Sequence, residues 1–176
     1  GLLPGTVTMQ ARLAALGHAP VIAPLSVIVP TGTPLPEGRF SGVLATSAAA
    51  FSGGQAALCP VLPLPLHAVG EKTAEAARDA GFATVLIGPG TAAALAAGMA
   101  PATSPLLYLA GEPRKGDLEQ ALAARSIPLV VSLRYRAEAV ARLPQEAIDM
   151  LAGGTFAAGL PYSRARAERV AALGTA

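Results

Sequence analysis

The chain has 176 residues, 52% of them hydrophobic and only 14% charged, which fits one or two domains with a proper core. Its net charge of +2 comes from 13 Lys and Arg scattered among 11 Asp and Glu, with no basic cluster interleaved with aromatics, so nothing marks a nucleic-acid surface. A mean hydropathy of +0.50 raises the question of a membrane, yet the two long uncharged stretches are broken by Pro60, Pro63, Pro65, Gly88, Pro89, Gly90, Gly98, Pro101 and Pro105, and neither offers the roughly 20 apolar helical residues of a crossing.

Cys59 stands alone, which excludes an internal disulfide and a cysteine-based metal cage, and it reads as a small buried hydrophobe. His18 and His67 are the only histidines and have no carboxylates at ligand spacing, so no metal site is expected. No leader pattern precedes the first helix. The chain opens on Gly1, so its true start is expected upstream. The cytoplasm is the default compartment and a monomer the default state.

In chain order, Met9 to Leu16 has helical spacing closed by Gly17, and the apolar run Ala19 to Leu25 is expected as a strand. Val29 to Gly38, rich in proline and glycine, reads as a linker. Gly42 to Ser47 reads as a strand leading into a helix from Ala48 to Ala57, with Ser52-Gly53-Gly54 as a turn rather than a nucleophile. Leu64 to Val69 reaches Gly70, and a helix over Thr73 to Ala80 closes at Gly81 before a strand from Ala83 to Ile87. Leu106 to Gly111 is a strand that leads through residues 112–116 into a helix over Asp117 to Arg125. There Ser126 stands where the earlier helices end on Gly, and a strand from Ile127 to Leu133 follows. Arg134 to Arg142 reads as a second linker, and Phe156 to Ser163 as a strand and turn before a helix from Arg164 to Leu173. Helix, turn and nearly all-apolar strand recurring in this way predict an α/β protein with a mainly parallel sheet covered on both faces.

If the chain leaves one lobe near residue 27 and returns near 137, residues 28–136 form an α/β lobe inserted into another built from 1–27 and 137–176. Ligands of open α/β sheets sit beyond the carboxyl ends of strands, which makes Thr46, Ser47, Gly70, Thr73, Gly111 and Ser163 the candidate binding residues. Thr73 would lie in the first turn of its helix, beside amides without partners and at the positive end of the helix dipole. The alternative is that Glu71-Lys72-Thr73 merely starts a helix. Gly70 and Gly111 are isolated, so neither the dinucleotide nor the nucleotide glycine signature is present. Hydroxyls and glycine amides suit an acidic ligand held by neutral hydrogen bonds, and do not suit proton shuttling by a tuned histidine.

Gly-Glu-Lys-Thr-Ala-Glu-Ala-Ala-Arg-Asp-Ala-Gly-Phe at 70–82, followed by a strand and Gly88-Pro-Gly, resembles the V-G-x-x-T-A-x-x-x-x-x-x-G-F stretch of uroporphyrinogen-III synthases. The helix at 11–18, the strand ending in Thr46-Ser47, the strand ending in Gly111 with Arg114 downstream, the strand 129–135 ending on a tyrosine, and Pro161-Tyr-Ser-Arg-Ala-Arg-Ala resemble further family segments in the same order. The resemblance implies two parallel-sheet α/β lobes joined by two extended linkers with the site in the cleft between them. It also implies a cofactor-free, hydro-lyase reaction on hydroxymethylbilane: loss of the hydroxyl, attack on the substituted position of ring D, and closure with that ring inverted. Thr46, Ser47, Thr73 and Ser163 match family positions near ligand, the amides after Gly70 would bind side-arm carboxylates, and Tyr135 would assist departure of the hydroxyl. Tyr135 could instead be a ring packed at the lobe junction.

Contact with the preceding pathway enzyme is a further implied partnership, with no nucleic acid or membrane involved. Before Pro4 the sequence lacks most of the family's first strand and its arginine, and after the Ser163 helix it lacks a strand, a second turn and a final helix. The first lobe is therefore expected to be incomplete in this stretch, which reads as part of a longer chain. Two other readings stay open: a relative that binds a tetrapyrrole or other polyanion without turnover, and a flavodoxin-like binding module.

Overall fold

The computed structural model describes residues 4–101 and 103–154, with side chains from residue 9 onward. Helix α1 (Pro4–Ala15) begins on a proline, whose missing N–H costs nothing in a first turn. The chain then leaves the helix through Gly17 at φ 84°. Ala19 to Leu25, expected as a strand, is irregular; Pro20 and Pro24 each remove a ladder donor. Strand β1 (Ser26–Pro30) comes later, and its last two residues lie in the stretch read as a linker.

Two compact units can be separated, one of Gly1–Val27 with Glu138–Ala176 and one of Ile28–Ala137. In the first, helix α5 (Gln145–Gly153) has no counterpart in the sequence reading; it follows Pro144 and stops at Gly154 in the left-handed region, φ 60°. Arg142 Nη2 donates to Gln145 Oε1 (3.1 Å) and Gln145 Nε2 to Asp149 Oδ1 (2.8 Å) along its surface, while Leu143 and Ala147 are buried.

The second unit contains β2 (Gly42–Ala45), β3 (Leu66–Ala68), β4 (Val85–Ile87), β5 (Leu106–Glu112) and most of β6 (Leu129–Ala139). Across the six-stranded sheet the order is β1-β6-β5-β2-β3-β4, and the β2–β3, β2–β5, β3–β4 and β5–β6 pairs are all parallel. Successive side chains of a strand face opposite ways, and both sets are apolar here, so each face takes its own cover. Val43, Ala45, Leu66, Ala68, Leu107 and Leu109 pack with Ala74 and Ala77 of helix α2 (Glu71–Asp79) and with Ala50, Leu58 and Val61. Leu44, Leu106, Tyr108 and Ala110 pack on the other face with Leu95 and Ala96 of helix α3 (Ala92–Ala97) and Leu118 and Leu122 of helix α4 (Asp117–Ala123). Leu44, Leu66, Leu107 and Leu109 are essentially sealed from solvent, each contributing about 1.5–3 kcal/mol by burial. At the rim, the short strand β4 leaves Leu86 and Ile87 each 48% exposed.

Two further expectations are corrected, and one helix is added. In place of one α-helix from Ala48 to Ala57 there are two 3-10 helices, Ala48–Phe51 and Gln55–Val61. Gly53 and Gly54 interrupt any continuous helix, and Pro60 cannot donate in one. The Ser52-Gly53-Gly54 turn lies between them, as read. Strand β6 continues to Ala139, through the expected linker from Arg134, because its ladder with β5 carries on to Tyr135 and Arg136. Helix α3 was not anticipated; its signal is Thr91, whose Oγ1 accepts from Ala94 N (3.2 Å) as an N-cap. The expected strand, turn and helix over residues 156–173 lie outside the described residues.

Candidate functional site

Beyond the carboxyl end of β2, Thr46 and Ser47 occupy the first positions after the strand. Ser47 is spent locally: its Oγ accepts from Ala49 N (3.2 Å) and caps the first 3-10 helix. Thr46 Oγ1 is 2.9 Å from the hydroxyl of Tyr108, a residue of β5 only 4% exposed. Burial pushes the Tyr108 phenol above its ordinary value, and the bond to Thr46 draws it partly back. Tyr108, which lies within the strand read from Leu106 to Gly111, is thus the partner of the candidate Thr46. The signal was its phenol, which when buried requires a partner.

Gly70 precedes α2 in extended conformation, φ −167°, so its backbone would accept other residues. No side chain caps the helix, so the amides of the first turn that α-helices leave unpaired are not covered by one. Thr73 N closes the turn on Gly70 O (3.1 Å), and Thr73 itself is buried at 5% exposure, within the helix side of the core rather than on an open surface. Val69 N donates to Ala45 O (3.0 Å), which holds the start of this turn beside the end of β2.

Gly111 and Tyr135 are brought into direct contact. They are register partners in the β5–β6 ladder, and the Tyr135 ring fills the space that a Cβ on Gly111 would take. The lack of a side chain at 111 is therefore explained by packing, and the half-buried ring leans on the same apolar cluster as α2. Ala110 pairs with Leu133 and Gly111 with Tyr135, so Arg134 is the extra residue of a bulge. Such a bulge re-aims the side chains that follow it. Arg134 is 3% exposed, Nη1 donates to Thr33 O (2.6 Å), and burial lowers its pKa. In the sequence reading Arg134 was only one of several linker charges.

At and beyond the end of β5, Glu112, Pro113, Arg114, Lys115, Gly116 and Glu119 line an open hollow of about 350 Å³. Arg114 Nε donates to Glu119 Oε1 (2.6 Å), which raises the Arg114 pKa, and Arg136 pairs with Glu112 (3.5 Å). Both pairs are well solvated, so they contribute little to stability. Among the described residues, no three His, Cys, Asp or Glu side chains gather to hold a metal, and no helix is long and apolar enough to cross a membrane. Ser163 lies outside the described residues.

A family model described as Uroporphyrinogen-III synthase HemD matches residues 7–174. The chain belongs to the uroporphyrinogen-III synthase family. Its fold is similar to that of the uroporphyrinogen-III synthetase of Helicobacter pylori, at 20% identity and a TM-score of 0.55, covering 74% of this chain and 63% of that one. It is also similar to a mutant uroporphyrinogen III synthase of Thermus thermophilus, at 22% identity and a TM-score of 0.55, covering 87% of this chain and 67% of that one. The chain thus spans less than two thirds of the first of these synthases and about two thirds of the second. No curated protein matches it significantly. Both likenesses bear on the mixed α/β fold with its six-stranded sheet, and family membership rests on the matched residues.

Proposed function

We propose that the protein is a uroporphyrinogen-III synthase, which cyclises hydroxymethylbilane with inversion of ring D and loss of water in tetrapyrrole, and so heme, biosynthesis. The observation that carries this reading is the family match over nearly the whole chain. The described residues are consistent with it: the turns after parallel strands offer hydroxyls and backbone amides, as a ligand carrying many carboxylates needs. Catalysis here means steering one cation between two ring closures, which is work for positioning groups.

In this reading the substrate-binding set is Thr46, Ser47, Gly70, Thr73, Gly111 and Ser163, with Tyr135 as the catalytic group that assists departure of the hydroxyl. Gly111 serves by seating the Tyr135 ring, and Thr73 by shaping the first turn of α2. The two compact units correspond to two lobes, the first discontinuous in sequence. The enzyme is classed as a hydro-lyase that works without a cofactor as a cytoplasmic monomer, and it receives substrate from the preceding pathway enzyme. The test is the isomer ratio of product formed from hydroxymethylbilane by the full-length protein. The inverted isomer is expected to dominate, and a product mixture equal to that formed without protein overturns the reading. Tyr135→Phe is expected to lower kcat by about a hundredfold with KM little changed; an unaltered kcat removes Tyr135 from the catalytic role.

A further inference from the structure

We infer that the Nε–Nη2 edge of Arg134, beside the Ser52–Gly53 turn, is a binding fork for a ligand carboxylate. A guanidinium offers its donors along edges, and two parallel N–H groups match the two oxygens of a carboxylate. Among the described residues Arg134 uses one of its nitrogens: Nη1 donates to Thr33 O (2.6 Å). Among the described residues Nε is buried with no hydrogen-bond partner, and Nη1 is the guanidinium nitrogen that has one. Nε and Nη2 form one edge of the fork. No carboxylate of the described residues pairs with Arg134, whereas Arg78, Arg114 and Arg136 each have one. Only 3% of Arg134 is exposed, and a cation so buried is normally compensated by a paired charge.

The neighbouring Ser52–Gly53 turn gives this edge its approach. A Cβ built on Gly53 would lie 3.4 Å from Arg134 Nη2, and Gly53 is exposed, so the fork ends beneath a turn residue that has no side chain to cover it. The β6 bulge is what makes this arrangement available. It inserts Arg134 between Leu133 and Tyr135 in the ladder, so that a candidate catalytic phenol and an unpaired cation follow one another in the chain. The fork is defined by residues of one compact unit, Ile28–Ala137. Its assignment to a side-arm carboxylate of the substrate rests on the function proposed above.

The probe is propionate added to the full-length protein, with chloride at matched ionic strength as the control. The Arg134 Nε–Hε resonance is expected to shift saturably with propionate and not with chloride, and the melting temperature to rise by about 2–4 °C at several-fold saturation. Gly53 has no positive φ, so Gly53→Ala adds a methyl over Nη2 without backbone strain and is expected to weaken propionate binding at least threefold. Arg134→Lys keeps the charge but loses the fork, and is expected to abolish the stabilisation. No saturable shift, an equal shift with chloride, or an undiminished gain in Arg134→Lys overturns the site. If Arg134→Lys does not fold, the resonance in the unmodified protein still decides. Propionate binding in a protein that yields only uninverted product would overturn the function and leave the site standing. Inversion by Arg134→Lys with unchanged KM would do the reverse.

Discussion

Thr46 and Tyr108 share a single proton between their oxygens at 2.9 Å. The phenol is the more acidic hydroxyl and the more buried one, so it donates, and the Thr46 hydrogen stays available for a ligand. Thr46→Val leaves a buried phenol without an acceptor and is expected to cost about 1–3 kcal/mol, whereas Tyr108→Phe removes the donor cleanly and is expected to cost about 1 kcal/mol; urea unfolding of both variants decides the order. The pH response follows from burial, which raises the native Tyr108 pKa above the ordinary value of 10.0. Above pH 10 the native state therefore holds a proton that the unfolded state has released, so this contribution to stability is complete below that pH and is lost as pH rises through the native value. Tyr108→Phe is expected to flatten the alkaline decline of the unfolding free energy. The sequence could place Tyr108 in a strand, but the period-two pattern of side chains does not reveal which residue of a neighbouring strand end its hydroxyl meets.

At the scale of elements, local signals and tertiary ones divide the legible from the hidden. The strands at 42–47, 106–111 and 127–133 could be read because their apolar runs end at glycine, hydroxyl or charge, and α2 and α4 because their spacing is helical. Ser126, noted as standing where other helices end on Gly, adopts φ 56° after α4. Ser126→Gly is expected to stabilise the protein by about 0.5–1 kcal/mol in chemical denaturation, since glycine bears no Cβ penalty there. The extension of β6 through Arg134 and Tyr135 could not be read, because a charged stretch becomes a strand only by pairing with β5. The same pairing places the Tyr135 ring over Gly111. Gly111→Ala is expected to cost about 1–3 kcal/mol and to alter tyrosine emission, which no Trp masks in this sequence.

For the whole chain, the two covered faces of the central sheet set where stability resides. β2 is buried throughout and β5 along all but its last residue, so their amides are expected to exchange slowest with deuterium, and those of β4 fastest among the strands of the second unit. Equal protection in β4 and β2 would contradict this ordering. The described chain separates into compact units near residues 27 and 138. The candidate site residues were chosen as strand-end hydroxyls and glycines, whereas Arg134 was hidden because a sequence shows a charge without showing that it lacks a counter-ion among the described residues.

At one edge of the sheet, β4 carries two half-bare aliphatic side chains on a ladder that stops after three residues. Its brevity gives a second molecule too few backbone groups to zip onto. Two added β-branched residues there should make the purified protein self-associate at high concentration, and a lysine in place of Ile87 should restore the dispersed state.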